Sequence, residues 1–206
     1  MRLHWHPFSL FPRRVRVALA EKHLAYDDVI VDLPGGAMRE PAFRALNPFG
    51  QVPVLEDGDL VLYESIAILE YLEERHPTPA LLPRDPARRA LARQAMLASG
   101  DYLAPPFHRW LMRFFTPEAT WDRDDQTRAV AEIGAYLDVL AVTLADGRPH
   151  LAGDFSLADV CHVPFACELA NAQLGRLLEE RPAVAGWVDR LNARPSIRAT
   201  SAEAVA

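Results

Sequence analysis

The sequence is poor in cysteine, and it lacks long hydrophobic runs. Its only cysteines, Cys161 and Cys167, lie six positions apart in a segment with helical periodicity. They therefore point to different faces and are not expected to form a local metal or redox pair. No apolar run approaches the roughly 18 residues that a membrane-spanning helix needs, and the residues after Met1 do not resemble a secretory leader. These absences predict a soluble, cytoplasmic protein that does not bind membranes.

Lysine is also scarce. Lys22 is the only lysine beside many arginines, which indicates a GC-rich genome such as a bacterial one. The formal net charge is −6, and an acidic protein does not attract phosphate backbones, so nucleic acid is not an expected partner. Of the histidines, only His4 and His6 are spaced to share a face of a strand, and two ligands are too few for a metal site. We therefore predict no bound metal.

The first part of the chain alternates between short strands and helices. Pro12 suits the first turn of a helix, and two apolar runs around Asp57-Gly58-Asp59 are typical of a β-hairpin. In chain order the predicted elements are strand 2–6, helix 12–23, strand 25–31, helix 38–46, strands 52–55 and 60–63, and helix 66–75. This order, βαβαββα, predicts an α/β domain over residues 1–78.

The segment 76–86 (HPTPALLPRDP) holds four prolines, which marks residues 79–86 as a linker. Everything from residue 87 to 206 is predicted to be an all-helical domain. Its predicted helices are 87–115, 122–144, one that starts at Ser156 and further stretches within 172–193, and the tail 201–206 is predicted to fray. The fold class is therefore an α/β domain followed by an all-α bundle.

Three segments carry motifs that belong together. They are SLFPRRVRVAL at 9–19, NPFGQVPVL at 47–55 with ESIAI at 64–68, and LAGDFSLAD at 151–159. In this order and at these distances they resemble glutathione transferases of a bacterial type, with a serine-type N-terminal motif like that of the tau, zeta and omega classes. The resemblance implies a thioredoxin-like N-terminal domain that binds glutathione, a helical C-terminal domain, a role in detoxification and a homodimer.

Ser9 is the candidate catalytic residue. It lies between a strand and a helix, where free backbone N–H groups and the helix dipole stabilise a thiolate. The alternative is that Ser9 only caps the helix. Leu10 and Phe11 follow it, whereas zeta-type enzymes have a serine and a cysteine there, and the cysteine of omega-type enzymes is missing. His6 or another hydroxyl is a further alternative for activating the thiol.

Val52-Pro53 resembles the family's cis-proline junction, which implies a cis bond and a Val52 backbone that pairs with the cysteinyl part of glutathione. The alternative is a trans proline that opens an edge strand. The resemblance also implies a contact from Gln51 to the peptide, and Arg39 is a candidate for the glycine carboxylate.

Glu64-Ser65 precedes an apolar helical run. The resemblance implies that Ser65 binds the γ-glutamyl carboxylate of glutathione and that Glu64 pairs with its amino group. The alternative is that Ser65 is a helix N-cap and Glu64 a solvated neighbour.

In the long helix predicted over 87–115, Tyr102, Phe107 and Trp110 are candidates for the wall of a hydrophobic substrate pocket, although aromatic residues at helical spacing more often form core. Ser156 and Asp159 have the spacing of a capping box. Their predicted role is to start a buried helix.

Taken with the resemblance, these residues imply an enzyme that conjugates the glutathione thiolate to small hydrophobic electrophiles, with glutathione as co-substrate. Two alternatives remain. One is a glutathione-dependent isomerase, dehalogenase or peroxidase on the same fold, and the other is a non-catalytic protein-interaction module.

Overall fold

The computed structural model describes residues 1–201, apart from the side chain of Ala119. The predicted frayed tail therefore lies outside the described residues, except for Ser201. The chain divides into two compact units. One contains Met1–Leu81 together with the tail helix α10 (Pro195–Ala199), and the other contains Leu82–Arg194.

The N-terminal unit has the predicted βαβαββα order. Its elements are β1 (Arg2–Trp5), α1 (Leu10–Glu21), β2 (Asp27–Ile30), a 3-10 turn (Ala37–Arg39), α2 (Pro41–Leu46), β3 (Val54–Asp57), β4 (Leu60–Tyr63) and α3 (Ser65–Arg75). The sheet order is β2-β1-β3-β4. β1 runs parallel to β2 and antiparallel to β3, and β3 runs antiparallel to β4. This arrangement confirms the predicted thioredoxin-like domain.

Alternation along the strands places apolar side chains on both faces of the sheet. Leu55 and its neighbours in β1 form one buried cluster with the apolar faces of α1 and α3. Val54, which precedes Leu55 and lies on the opposite face, packs with Phe43 of α2 and with Val52. The helices thus cover both faces of the sheet, and the packing on each face holds the ends of the strands in place.

The tail helix α10 packs with α1, although residues 87–206 were predicted as one domain. Arg13 and Arg16 of α1 donate to the carbonyl oxygens of Ile197 and Thr200 at 3.4 and 3.3 Å. Both arginines are buried. Free carbonyls at the end of the tail helix need donors, and the two guanidinium groups supply them.

The second unit is helical among its described residues. It contains α4 (Pro86–Ala98), α5 (Ala104–Leu111), α6 (Arg123–Thr143), α7 (Leu157–Ala166), α8 (Arg176–Glu179) and α9 (Pro182–Asn192), with short 3-10 turns at Met112–Phe114 and Glu118–Thr120. α7 is buried at every position and forms the centre of this unit. No helix in the described part of the chain is long and apolar enough to cross a membrane.

The predicted helix 87–115 is interrupted. A π-helical turn, Ser99–Leu103, separates α4 from α5. Pro105 and Pro106 follow it, and a proline removes an i−4 hydrogen bond and crowds the carbonyl of the preceding turn. The wider π turn accommodates both prolines without ending the helical path.

Two of the predicted helices in this unit, α6 and α7, start where predicted, each at a side-chain cap. Asp122 caps α6 by accepting from the backbone N–H groups of Asp124 and Asp125, both at 3.0 Å. Ser156 and Asp159 form the capping box of α7, so the sequence motif acts as a structural element at the centre of the helical unit.

Candidate active site

Three of the predicted site segments leave the sheet at the same edge. In the antiparallel pairing, His4 of β1 lies opposite Val54 of β3, and Val54 lies opposite Tyr63 of β4. β1 therefore ends where β3 begins and where β4 ends. The turn to Ser9, the approach to β3 through Val52-Pro53 and the turn at Glu64-Ser65 consequently meet at one edge.

Ser9 is the N-cap residue of α1, with an extended backbone (φ −92°, ψ 126°). Its backbone N–H donates to the carbonyl of His6 at 3.0 Å, which closes the turn out of β1. Its hydroxyl makes no capping bond to the helix, although serine is a preferred residue for that bond. The capping alternative therefore lacks the contact that defines it. The ring Nδ1 of His6 accepts from the Phe8 N–H at 3.2 Å, so that nitrogen is engaged within the turn.

The Val52–Pro53 peptide bond is cis, as predicted. Val52 is buried, with its side chain in the cluster on the α2 face of the sheet. Among the described residues, its backbone N–H and C=O have no hydrogen-bond partner in the protein. Backbone groups left unpaired beside a strand provide the edge to which an extended peptide binds.

Asn47 positions the loop before this junction, a role that its place in the NPFGQVP motif did not reveal. Its amide nitrogen donates to the carbonyl of Gln51 at 2.8 Å, and its amide oxygen accepts from the Phe49 N–H at 3.0 Å. Gly50 has φ +64°, and a Cβ there would lie 2.8 Å from the carbonyl oxygen of Met38. The loop is thus fastened at both ends, and the exposed side chain of Gln51 projects from it.

Glu64 and Ser65 start α3, and the helix begins one residue earlier than the capping alternative requires. Glu64 is the N-cap residue, with φ +69°, and Ser65 is the first helical residue. A positive φ is uncommon for a glutamate and is found mostly where the surrounding structure holds it in place. Ser65 is buried, and its hydroxyl oxygen accepts from the guanidinium of Arg14 at 3.3 Å, whereas the Glu64 side chain is exposed.

Both helices that begin at this edge, α1 and α3, direct free backbone N–H groups towards it. Each N-terminus carries about half a positive charge, and the two α helices pack against each other. The edge therefore offers a hydroxyl from Ser9, a hydroxyl from Ser65, a carboxylate from Glu64 and a free strand edge at Val52. This set suits a short peptide that carries a carboxylate, an amino group and an anionic sulfur.

The sequence is similar to known proteins along nearly its whole length. A glutathione S-transferase from Silene vulgaris is 34% identical, over 98% of this chain and 97% of its own. Protein-family models for the N-terminal and C-terminal domains of glutathione S-transferase match residues 8–75 and 103–195. The protein belongs to the glutathione S-transferase family. The curated relatives are plant Phi-class enzymes, so the predicted bacterial-type likeness to the tau, zeta and omega classes is not confirmed.

Solved structures of the family share the whole fold. Glutathione transferase F7 from Populus trichocarpa is 30% identical with a TM-score of 0.90, and the match covers 100% of this chain and 99% of that one. A glutathione transferase from Burkholderia graminis is 28% identical with a TM-score of 0.87, covering 97% of this chain and 86% of that one. That structure was solved with two glutathione molecules bound per subunit.

The three predicted pocket residues of the helical unit differ in how far they are exposed. Tyr102 is 68% exposed and lines an open groove of about 640 Å³ within this unit. Phe107 has no exposed surface and packs edge to face on Phe165. Trp110 is buried and donates its indole N–H to the carbonyl of Ala172 at 2.7 Å. Phe107 and Trp110 therefore belong to the helical core, because burial removes these large apolar rings from water.

Arg39, the candidate for the glycine carboxylate, is exposed in the 3-10 turn before α2. No group of three or more His, Cys, Asp or Glu side chains in the described part of the chain is arranged to hold a metal ion.

Proposed function

We propose that this protein transfers the thiolate of glutathione to small hydrophobic electrophiles, with Ser9 as the residue that holds the thiolate. The observation that supports this most directly is the Ser9 hydroxyl. It stands at the start of α1 without the capping bond that a serine there usually makes. A hydroxyl that does not bond to the helix is free to donate to an anionic sulfur at the same place.

The chemistry requires the thiol to be ionised at neutral pH. An ordinary thiol has a pKa of about 8.5 and is mostly protonated. A hydrogen bond to a charged acceptor contributes about 1.5–3 kcal/mol, and a pKa unit corresponds to about 1.4 kcal/mol, so one hydroxyl lowers the thiol pKa by about one to two units. The thiol proton leaves to solvent, and the sulfur then forms a bond to the electrophilic carbon, from which the leaving group departs with the bonding electrons.

The tripeptide is held by the other residues at the sheet edge. The Val52 backbone pairs with the cysteinyl residue as an added strand does, and Gln51 contacts the peptide. The Ser65 N–H and hydroxyl bind the γ-glutamyl carboxylate, and the Glu64 carboxylate pairs with the amino group. Arg39 meets the glycine carboxylate. Holding the sulfur and the electrophile side by side supplies the rest of the rate enhancement.

For the second substrate, we propose that Tyr102 contacts an apolar electrophile with its exposed ring. Phe107 and Trp110 do not take this role, because their rings are buried in the helical core. From Ser9 at the start of α1 we infer that the chain is a serine-type enzyme. We further infer that it acts in detoxification as a cytoplasmic homodimer. Light scattering on the purified protein tests whether it is a dimer.

The experiment is a calorimetric titration with glutathione, with thiol ionisation followed by ultraviolet absorbance, on the wild type and on Ser9→Ala. Ser9→Thr is the matched control, because it keeps a hydroxyl at the same position. We expect the wild type and Ser9→Thr to bind glutathione and lower its thiol pKa. Ser9→Ala is expected to bind with similar affinity while the pKa returns to near its free value.

Two outcomes contradict this proposal. If Ser9→Ala still lowers the thiol pKa, another group such as His6 activates the sulfur, and Ser9 is not the catalytic residue. If the wild type does not bind glutathione at all, the protein is a non-catalytic member of its family that binds another protein.

A further inference from the structure

Arg14 is the most deeply buried of the arginines on α1, with 1% of its surface exposed. It lies five residues after Ser9, and its guanidinium reaches across to α3, where Nη1 lies 3.3 Å from the Ser65 hydroxyl oxygen. The same guanidinium sits 4.8 Å from the centre of the Phe11 ring. This side chain therefore links the first turns of the two helices that begin at the candidate site.

The direction of this hydrogen bond has a chemical consequence. A guanidinium group has donors only, whereas a serine hydroxyl has one hydrogen and two acceptor positions. The Ser65 oxygen must therefore accept from Arg14, and its own hydrogen points elsewhere. A hydroxyl that accepts from a cation is polarised and becomes a better donor to an anion.

We propose that Arg14 is a positioning residue for glutathione: it orients the Ser65 hydroxyl so that its hydrogen is directed to the γ-glutamyl carboxylate. This inference rests on the proposed glutathione site. Arg14 does not touch the ligand in this arrangement, and its effect is transmitted entirely through Ser65. Exposed arginines do not act in this way, because solvent lets both partners rotate, whereas burial holds the guanidinium and the hydroxyl in one geometry.

The test is glutathione binding to Arg14→Met, which keeps a stem of similar length and removes the donors. We expect the dissociation constant to rise about fivefold to tenfold, the size of one oriented hydrogen bond. Arg16→Met is the matched control. Arg16 lies on the same helix and is also buried, but it bonds to Tyr26 and Thr200 and not to Ser65. Arg16→Met is expected to change thermal stability and to leave glutathione affinity within twofold.

A double-mutant cycle with Ser65→Ala separates positioning from a general loss of structure. Without the Ser65 hydroxyl, Arg14→Met should change the dissociation constant by less than twofold, because the group that it orients is gone. Arg14→Lys keeps a donor and a charge and should recover part of the affinity, and it provides a second variant if Arg14→Met does not fold.

The inference is overturned if Arg14→Met weakens binding equally with and without the Ser65 hydroxyl, or if it binds glutathione as tightly as the wild type. These results differ from a failure of the proposed function, in which the wild type itself does not bind glutathione.

Discussion

Asp159 bonds to three other residues of the helical unit, Leu151, Ser156 and Trp187, and its replacement by alanine is a sharp test of the fold. The side chain has no exposed surface. One carboxylate oxygen accepts from the backbone N–H of Leu151 at 3.1 Å and from the indole N–H of Trp187 at 2.8 Å. The other accepts from the backbone N–H and the hydroxyl of Ser156 at 3.0 and 3.2 Å.

Asp159→Ala leaves three buried N–H donors without an acceptor. Each unsatisfied buried donor costs about 1–3 kcal/mol, so the three together give an expected loss of about 3–9 kcal/mol. A domain of this size is stable by about 5–15 kcal/mol, so the change removes a large part of the free energy of unfolding. Asp159→Asn should reduce the free energy of unfolding nearly as much. Its amide nitrogen is itself a donor, and it would face N–H donors whichever way the amide is turned.

Urea unfolding followed by circular dichroism measures this loss. Asp154→Ala is the control, since Asp154 lies in the same loop but is exposed, and it should change the free energy of unfolding by less than about 0.5 kcal/mol. If Asp159→Ala is destabilised by no more than Asp154→Ala, the carboxylate does not hold the start of α7, and this prediction is contradicted.

Two further predictions concern the N-terminal unit. Gly50→Ala should weaken glutathione binding and lower the free energy of unfolding by about 1–3 kcal/mol, because φ is +64° and the added Cβ would lie 2.8 Å from the Met38 carbonyl oxygen. The control is Gly58→Ala, where φ is similar but nothing lies within 4 Å of the added Cβ. Comparing the two variants in a titration with glutathione isolates the effect of the contact. The hydrogen bond from His4, aided by the charge of Arg2, lowers the pKa of Glu56 below its ordinary 4.5, so this pair stabilises the fold above about pH 4.5 and the contribution is lost as the pH falls through the lowered pKa. Glu56→Gln should therefore reduce the free energy of unfolding by about 0.5–1 kcal/mol at neutral pH. In urea titrations this difference from the wild type should shrink as the pH falls below 4.5, and a difference that stays constant would contradict the assignment.

Local patterns in the sequence were sufficient for several features. The order of strands and helices follows from apolar periodicity and from the turn at Asp57-Gly58-Asp59, because these signals lie within a few residues of each other. The capping box at Ser156 follows for the same reason, since a cap involves only the first turn of its own helix. That these elements meet at a common sheet edge was implied only by the resemblance carried by the motifs at 9–19, 47–55 and 64–68.

Contacts between distant segments were not predictable in the same way. The arginines of α1 have the composition of a solvated face, yet Arg13 and Arg16 are buried against a tail helix about 180 residues further along the chain. Similarly, helical spacing alone does not distinguish a pocket wall from core, and only the packing of Phe107 on Phe165 assigns it to the core.

By itself the sequence determined the fold class, the family motifs and the segments that carry the candidate site, because each depends on residue types at short spacing. The tertiary structure decided which side chains remain free to act. It left the Ser9 hydroxyl without a capping bond, paired the Ser65 hydroxyl with Arg14 and placed Asn47 against the Gln51 carbonyl. The physical reason is that a hydroxyl or an amide has several possible partners along the chain, and only the packed fold determines which of them comes within hydrogen-bond distance.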